Sequence, residues 1–236
     1  MCSVTDFLPE DWDYGPMHYA QGMRRLWHMS NATLFRLNGL TLVLGGVLGG
    51  VASAVHPPDL TDPINVPVHL ALYVAIMLIA LGLPGLYLRH SEATKVAGLI
   101  GMVMLFFGIV FGDTIHSVIE FTVMPVITAN PDTAALMHGG PPGLMAPLMI
   151  AFPVLLLGQL IFAITWLRAA ELPRWPAVVA CASVVLVIAG FPFNGTPLRD
   201  AGPALLYFSM AIYGWELLAQ RQSTAATRLT QAVATR

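Results

Sequence analysis

The sequence predicts an all-α fold, a polytopic transmembrane helical bundle of six spans with both termini cytoplasmic. Three observations carry that expectation. Apolar residues make up 56% of the 236 and charged residues only 10%, against roughly 25% charged in an ordinary soluble domain. Six apolar runs each approach the ~20 residues needed to cross a hydrocarbon core of ~30 Å. The basic residues fall into alternate connections between those runs, as the excess of Lys and Arg in short cytoplasmic loops requires.

In chain order, residues 1–34 form a polar cytoplasmic or interfacial lead-in. Asp6, Glu10, Asp11 and Asp13 come before Arg24 and Arg25, which is not the basic-then-apolar order of a cleavable signal, so the segment is expected to be retained. Trp12, Tyr14, Tyr19 and Trp27 beside those arginines suit a membrane–water interface. The six-helix transmembrane domain covers 35–220, with apolar runs at 37–55, 68–88, 96–124, 144–167, 175–193 and 201–218. Residues 221–236 form a cytoplasmic tail. Arg24, Arg25 and Arg36 precede the first run, Arg89 and Lys95 separate the second from the third, Arg168 and Arg174 separate the fourth from the fifth, and Arg221, Arg228 and Arg236 follow the sixth. Of the eleven basic residues only Arg199 lies on the other side.

Within the runs, Gly45, Gly46, Gly49 and Gly50 repeat at four-residue spacing and let a neighbouring backbone approach closely. Either another helix of the chain or a second copy, giving a homo-oligomer through the Gly45/Gly49 face, would use that surface. Pro84 and Pro153 are expected to kink the second and fourth spans. Gln159 is expected to bond to a neighbouring helix and Glu216 to pair with Arg221, while Trp166, Trp175 and Trp215 read as an interfacial belt.

Several functions are excluded. A net charge of -2 with no basic run argues against a nucleic-acid partner; the lipid bilayer is the expected partner. Cys2 and Cys181 alone support neither a disulfide framework nor a paired-cysteine metal site. No lysine lies inside a span to hold a retinal, and there is no phosphate loop.

The candidate site lies at 111–120, Phe-Gly-Asp-Thr-Ile-His-Ser-Val-Ile-Glu. At ~100° per residue Asp113, His116 and Glu120 fall within an arc of about 60° on one helix face. Asp113 lies about 27 Å beyond Lys95, near the outer hydrocarbon edge, and Glu120 is expected in the headgroup zone. In the six-span order His56, His69, His138, Asp59 and Asp62 fall at the same outer level. His56-Pro57-Pro58 reads as a helix exit and His138-Gly139-Gly140 as a loop tip; Asp113 is expected to face the bundle, to pair with a partner such as His69, or to be protonated, and the role of His116 depends on whether His69 faces it. An ionisable group at that depth is a functional candidate by default. Asp113, His116, His69 and Glu120 are the expected catalytic residues. They would act as general acid and base, or His69, Asp113 and His116 would hold a divalent metal as an open Lewis-acid site.

The His56-Pro57 exit, the segment Leu81-Gly82-Leu83-Pro84-Gly85-Leu86-Tyr87 and the segment Leu172-Pro173-Arg174-Trp175 resemble features of small, uncharacterised six-span bacterial membrane proteins of actinobacterial type. The resemblance implies the six-helix architecture and a bacterial cytoplasmic membrane, and carries no activity. Three functions from different classes follow from the residues: a membrane-embedded enzyme acting on a lipidic or isoprenoid-like substrate, a small carrier or proton-coupled transport protein, or a non-catalytic accessory subunit of a membrane complex.

Overall fold

The computed structural model describes residues 30–57, 59, 62–129, 142–193 and 196–234, without the side chains of 142–145 and of residues from 220 on. The chain divides into two units, 1–34 and 35–236. In the first, residues 30–34 open a helix capped by Ser30, whose Oγ accepts from the Thr33 N–H at 3.2 Å. The remaining lead-in lies outside the described residues.

Every regular element among the described residues is helical. Helix α1 is Asn31–Ala54. Helix α2, Asn65–Phe107, is continued by a π-helical stretch Gly108–Asp113, α3 Thr114–Val118, a second π-helical stretch Ile119–Val123 and α4 Met124–Thr128. Helices α5 Pro142–Arg168, α6 Trp175–Gly190 and α7 Pro197–Ala234 complete the chain. The expected cytoplasmic tail thus continues the last helix in its backbone.

The run from Asn65 to Thr128 is two antiparallel arms. Lys95 breaks it with φ 54° and ψ -155°, a backbone conformation costly for any residue with a Cβ. His69 and His116 make the consequence visible. On a straight helix they would stand about 70 Å apart, yet their ring centroids are 5.3 Å apart. The arms 65–94 and 96–128 therefore lie side by side, and the helix continues through Arg89 almost to the reversal, where the sequence suggests a longer loop. Pro84 sits inside the first arm.

Helix α1 packs through its glycines. A Cβ on Gly45 would meet the Ala75 carbonyl at 2.7 Å, and one on Gly46 would meet the Tyr207 carbonyl at 2.7 Å. Gly49 faces the Tyr207 ring and Gly50 the Phe208 ring. The Gly45/Gly49 face is covered within the chain, by the first arm and α7. The interior joins Leu42, Ile76, Ile79, Leu83, Leu105, Ile109, Leu155, Phe162, Trp166 and Met210, all essentially inaccessible.

The exterior is apolar instead of charged: Leu44, Leu81, Val96, Ile150, Val185 and Ile188 are all exposed. A surface of this kind belongs against lipid. Asn31–Ala54, Asn65–Thr128 and Ala146–Arg168 are each long and apolar enough to cross a membrane, and Trp175–Gly190 is apolar but shorter. The protein is an all-helical membrane protein.

One of the three tryptophans departs from the interfacial reading. Trp166 is wholly buried, with its Nε1 donating to the Pro173 carbonyl at 2.8 Å; its ring meets His90 and Tyr213 edge-on. The turn after α5 folds back and supplies the acceptor that lets an indole enter the core. Trp175 and Trp215 stay exposed, and Trp175 Nε1 donates to Glu216 Oε1 at 3.0 Å. Gln159 bonds across helices as expected, donating to Ser209 Oγ at 2.9 Å.

Candidate functional site

The site is built where α1 ends, the first arm begins and the second arm nears its end. The α1 helix stops at Ala54, and two prolines after His56 prevent its continuation. Asp62 opens the next helix: its carboxylate accepts from the Ile64 N–H at 2.9 Å and its carbonyl from the Asn65 N–H at 2.9 Å. This places His69 one turn into the first arm. On the other arm the two π-helical stretches flank the five residues that carry His116. Such π turns are rare and are often found at functional sites.

Three imidazoles converge. His56 and His69 approach Nε2 to Nε2 at 3.2 Å, and His69 and His116 rings meet edge-on. One donor nitrogen from each of the three lies within 4.8 Å of the other two. They grade outward: His69 is wholly buried, His56 half-buried, and His116 exposed. His69 Nδ1 donates to the Asn65 carbonyl at 2.9 Å. A carbonyl only accepts, so in the neutral ring Nδ1 carries the proton and Nε2 presents a lone pair toward His56. Burial and the neighbouring His69 imidazole hold His56 below the ordinary imidazole value; Asp200 opposes the shift and Arg199, also in the first turn of α7, adds to it.

The carboxylates are placed differently from the helical-wheel expectation. Asp113 does not face His69; its Oδ2 accepts from the Tyr207 hydroxyl of α7 at 2.9 Å. Glu120 is buried within the protein, and its Oε2 accepts from Asn65 Nδ2 at 3.3 Å. The reason is local. An α-helical wheel assumes ~100° per residue, whereas Asp113 lies in one π-helical stretch and Glu120 in the other, where each turn holds an extra residue. His116 and Glu120 both meet the first arm, and Asp113 turns to α7. Of the expected residues, His69 and His116 are joined directly; Glu120 touches the group through Asn65; Asp113 stands apart with Tyr207. His138 lies outside the described residues.

His56, Asn65 and Tyr207 are the residues that sequence reasoning passed over. The His-Pro-Pro sequence fits a helix exit, and nothing local shows that the imidazole turns back onto His69. Tyr207 carried a signal: a phenol in the middle of an apolar run needs a hydrogen-bond partner. Compared with protein-family models, curated proteins and solved structures, the chain matches none.

Proposed function

We propose that the protein is a six-span enzyme of the bacterial cytoplasmic membrane, with both termini inside and its active site at the extracytoplasmic end of spans 1 to 3. The reversal at Lys95, between two arms each long enough to cross, supports counting 65–128 as two spans, and the basic residues support the orientation. The observation that carries the catalytic reading is the convergence of His56, His69 and His116 from three segments of the chain. Structural histidines seldom need each other; three imidazoles with a lone pair aimed into the group are poised to move a proton or hold a cation.

The roles follow the grading of exposure. His116, exposed, meets the substrate and acts as acid or base; His69 and His56 pass or hold the proton behind it. Asp113, fixed by Tyr207, supplies negative charge one helical turn before His116. Glu120 steadies Asn65 and, through it, the segment that carries His69. A lipidic or isoprenoid-like substrate fits because Phe107 and Phe111, stacked at 5.2 Å and both half exposed, extend the apolar surface of the same helix up to His116.

The test compares lipid extracts of cells expressing wild type, His116→Ala and Asp113→Asn, by mass spectrometry. A lipid species should change with wild type and revert in both variants while the variants keep their thermal stability in detergent. A change that survives in both, or no change in any lipid, overturns the reading; transport of a solute by the wild type in vesicles would replace it with a carrier.

A further inference from the structure

We propose that His56, His69 and His116 bind one divalent transition-metal ion, Zn²⁺ or a close relative, with a fourth position open on the His116 side. This ligand set shares His69 and His116 with the one the sequence suggests and replaces Asp113 with His56. It rests on the reading above for its location only, since a metal can be held there whatever the reaction.

Donor spacing is the first argument. Zn²⁺ bound tetrahedrally at ~2.0–2.1 Å from imidazole nitrogen holds its donors about 3.4 Å from one another. His56 and His69 already face each other Nε2 to Nε2 at 3.2 Å. No donor pair among the three exceeds 4.8 Å, so His116 has only to close by a side-chain rotation, and as the exposed member it is free to do so. Asp113 is not among the donors that converge, and its Oδ2 is engaged by the Tyr207 hydroxyl.

The second argument is the proton on His69. A ligating histidine nearly always donates its other ring N–H to a carbonyl or carboxylate, which fixes the tautomer and aims the free lone pair at the ion. His69 does this: it is fully buried, its Nδ1–H is bound to the Asn65 carbonyl, and Nε2 is left to the cluster. Asn65 is in turn held by the buried Glu120 carboxylate, a negative group placed behind the ligand where it offsets part of the ion's charge. The alternative occupant of that lone pair is an N–H from His56, a plain imidazole pair without metal.

Third, the set is open on one side. Structural zinc sites use four protein ligands, whereas catalytic ones keep three and leave a position for water or substrate. Three histidines graded from buried to exposed leave the open position on the exposed side, beside His116. Zn²⁺ there would lower the pKa of a bound water and polarise an oxygen of the substrate. Imidazole nitrogen suits Zn²⁺ in preference to Ca²⁺ or Mg²⁺, which take oxygen.

The experiment uses the full chain in lipid nanodiscs, stripped with a chelator and titrated with Zn²⁺ by calorimetry and with Co²⁺ by visible absorption. One equivalent of each should bind, and Co²⁺ should give the intense bands of a four-coordinate site. His56→Gln and His116→Gln should each weaken binding at least tenfold, and Asp113→Asn should leave it unchanged. His116 is exposed, so His116→Gln tests the site without threatening the fold. No saturable binding, a stoichiometry other than one, or wild-type affinity in either His variant overturns the site and leaves the imidazole pair in its place. Failure of the enzyme reading is separate: the lipid comparison above reports on it with no metal measurement, and a metal site that binds Co²⁺ in a protein that changes no lipid would stand alone.

Discussion

Asp113 owes its place to a tyrosine 94 residues further along the chain. Its carboxylate lies on the second arm, where the Tyr207 hydroxyl donates to it at 2.9 Å. Tyr207→Phe keeps the ring that fills the space before Gly49 and removes only the donor. A carboxylate left without its partner costs about 1–3 kcal/mol. The variant should therefore unfold at lower temperature than wild type in the same detergent, and the loss should vanish in the double variant with Asp113→Leu compared with Asp113→Leu alone, where no acceptor is left for the hydroxyl. His56 gives the corresponding pH prediction. Its folded value lies below the ordinary 6.5, so the unfolded chain takes up the proton more readily. Stability from this residue is fully present above about 6.5 and is lost as pH falls below it. In chelator-treated protein the melting temperature should drop between pH 7.5 and 5, and drop less in His56→Gln.

At the scale of elements, the reversal at Lys95 decides which histidines meet. A residue with a Cβ held at φ 54° and ψ -155° costs on the order of 1–3 kcal/mol, and glycine relieves most of it. Lys95→Gly should raise the melting temperature without altering the lipid or metal readouts; an unchanged or lower value would show that the lysine side chain contributes more than the strain costs. Much at this scale was legible in the sequence, because run length and basic connections depend only on composition: α1, the two arms and α5 overlap the expected runs 37–55, 68–88, 96–124 and 144–167, with α1 starting earlier and the first arm running on past Arg89. The fifth run was read to 193, but α6 ends at Gly190. What was illegible depends on angle and on distant contact. The π-helical stretches have no compositional mark, and they separate Asp113 from His116 after a wheel had put both on one face. Trp166 looked interfacial because it stands near Arg168, and only the Pro173 carbonyl, brought round by a turn, allows it inside.

At the scale of the whole molecule, the site depends on how closely α1 lies against α7. His56 hangs from the end of α1 and meets His69 of the first arm, while Tyr207 belongs to α7 and holds Asp113 of the second arm. The distance between these helices is set by Gly46, where an added Cβ would meet the Tyr207 carbonyl at 2.7 Å and the Ala211 Cα at 2.8 Å. Those are backbone atoms, which cannot rotate away as a side-chain tip can, so Gly46→Leu must push the helices apart. Overpacking of a close contact costs about 1–3 kcal/mol or more, and here the shift also draws the Tyr207 hydroxyl off Asp113 and carries His56 away from His69. The variant should lose thermal stability and bind Co²⁺ at least tenfold more weakly, although no ligand has been changed. Its mass by light scattering in detergent should equal that of wild type, because the glycine face is filled from within the chain. A fall in mass with stability and Co²⁺ binding retained would instead make that face the contact between two copies, and would detach the architecture of the site from the packing of α1.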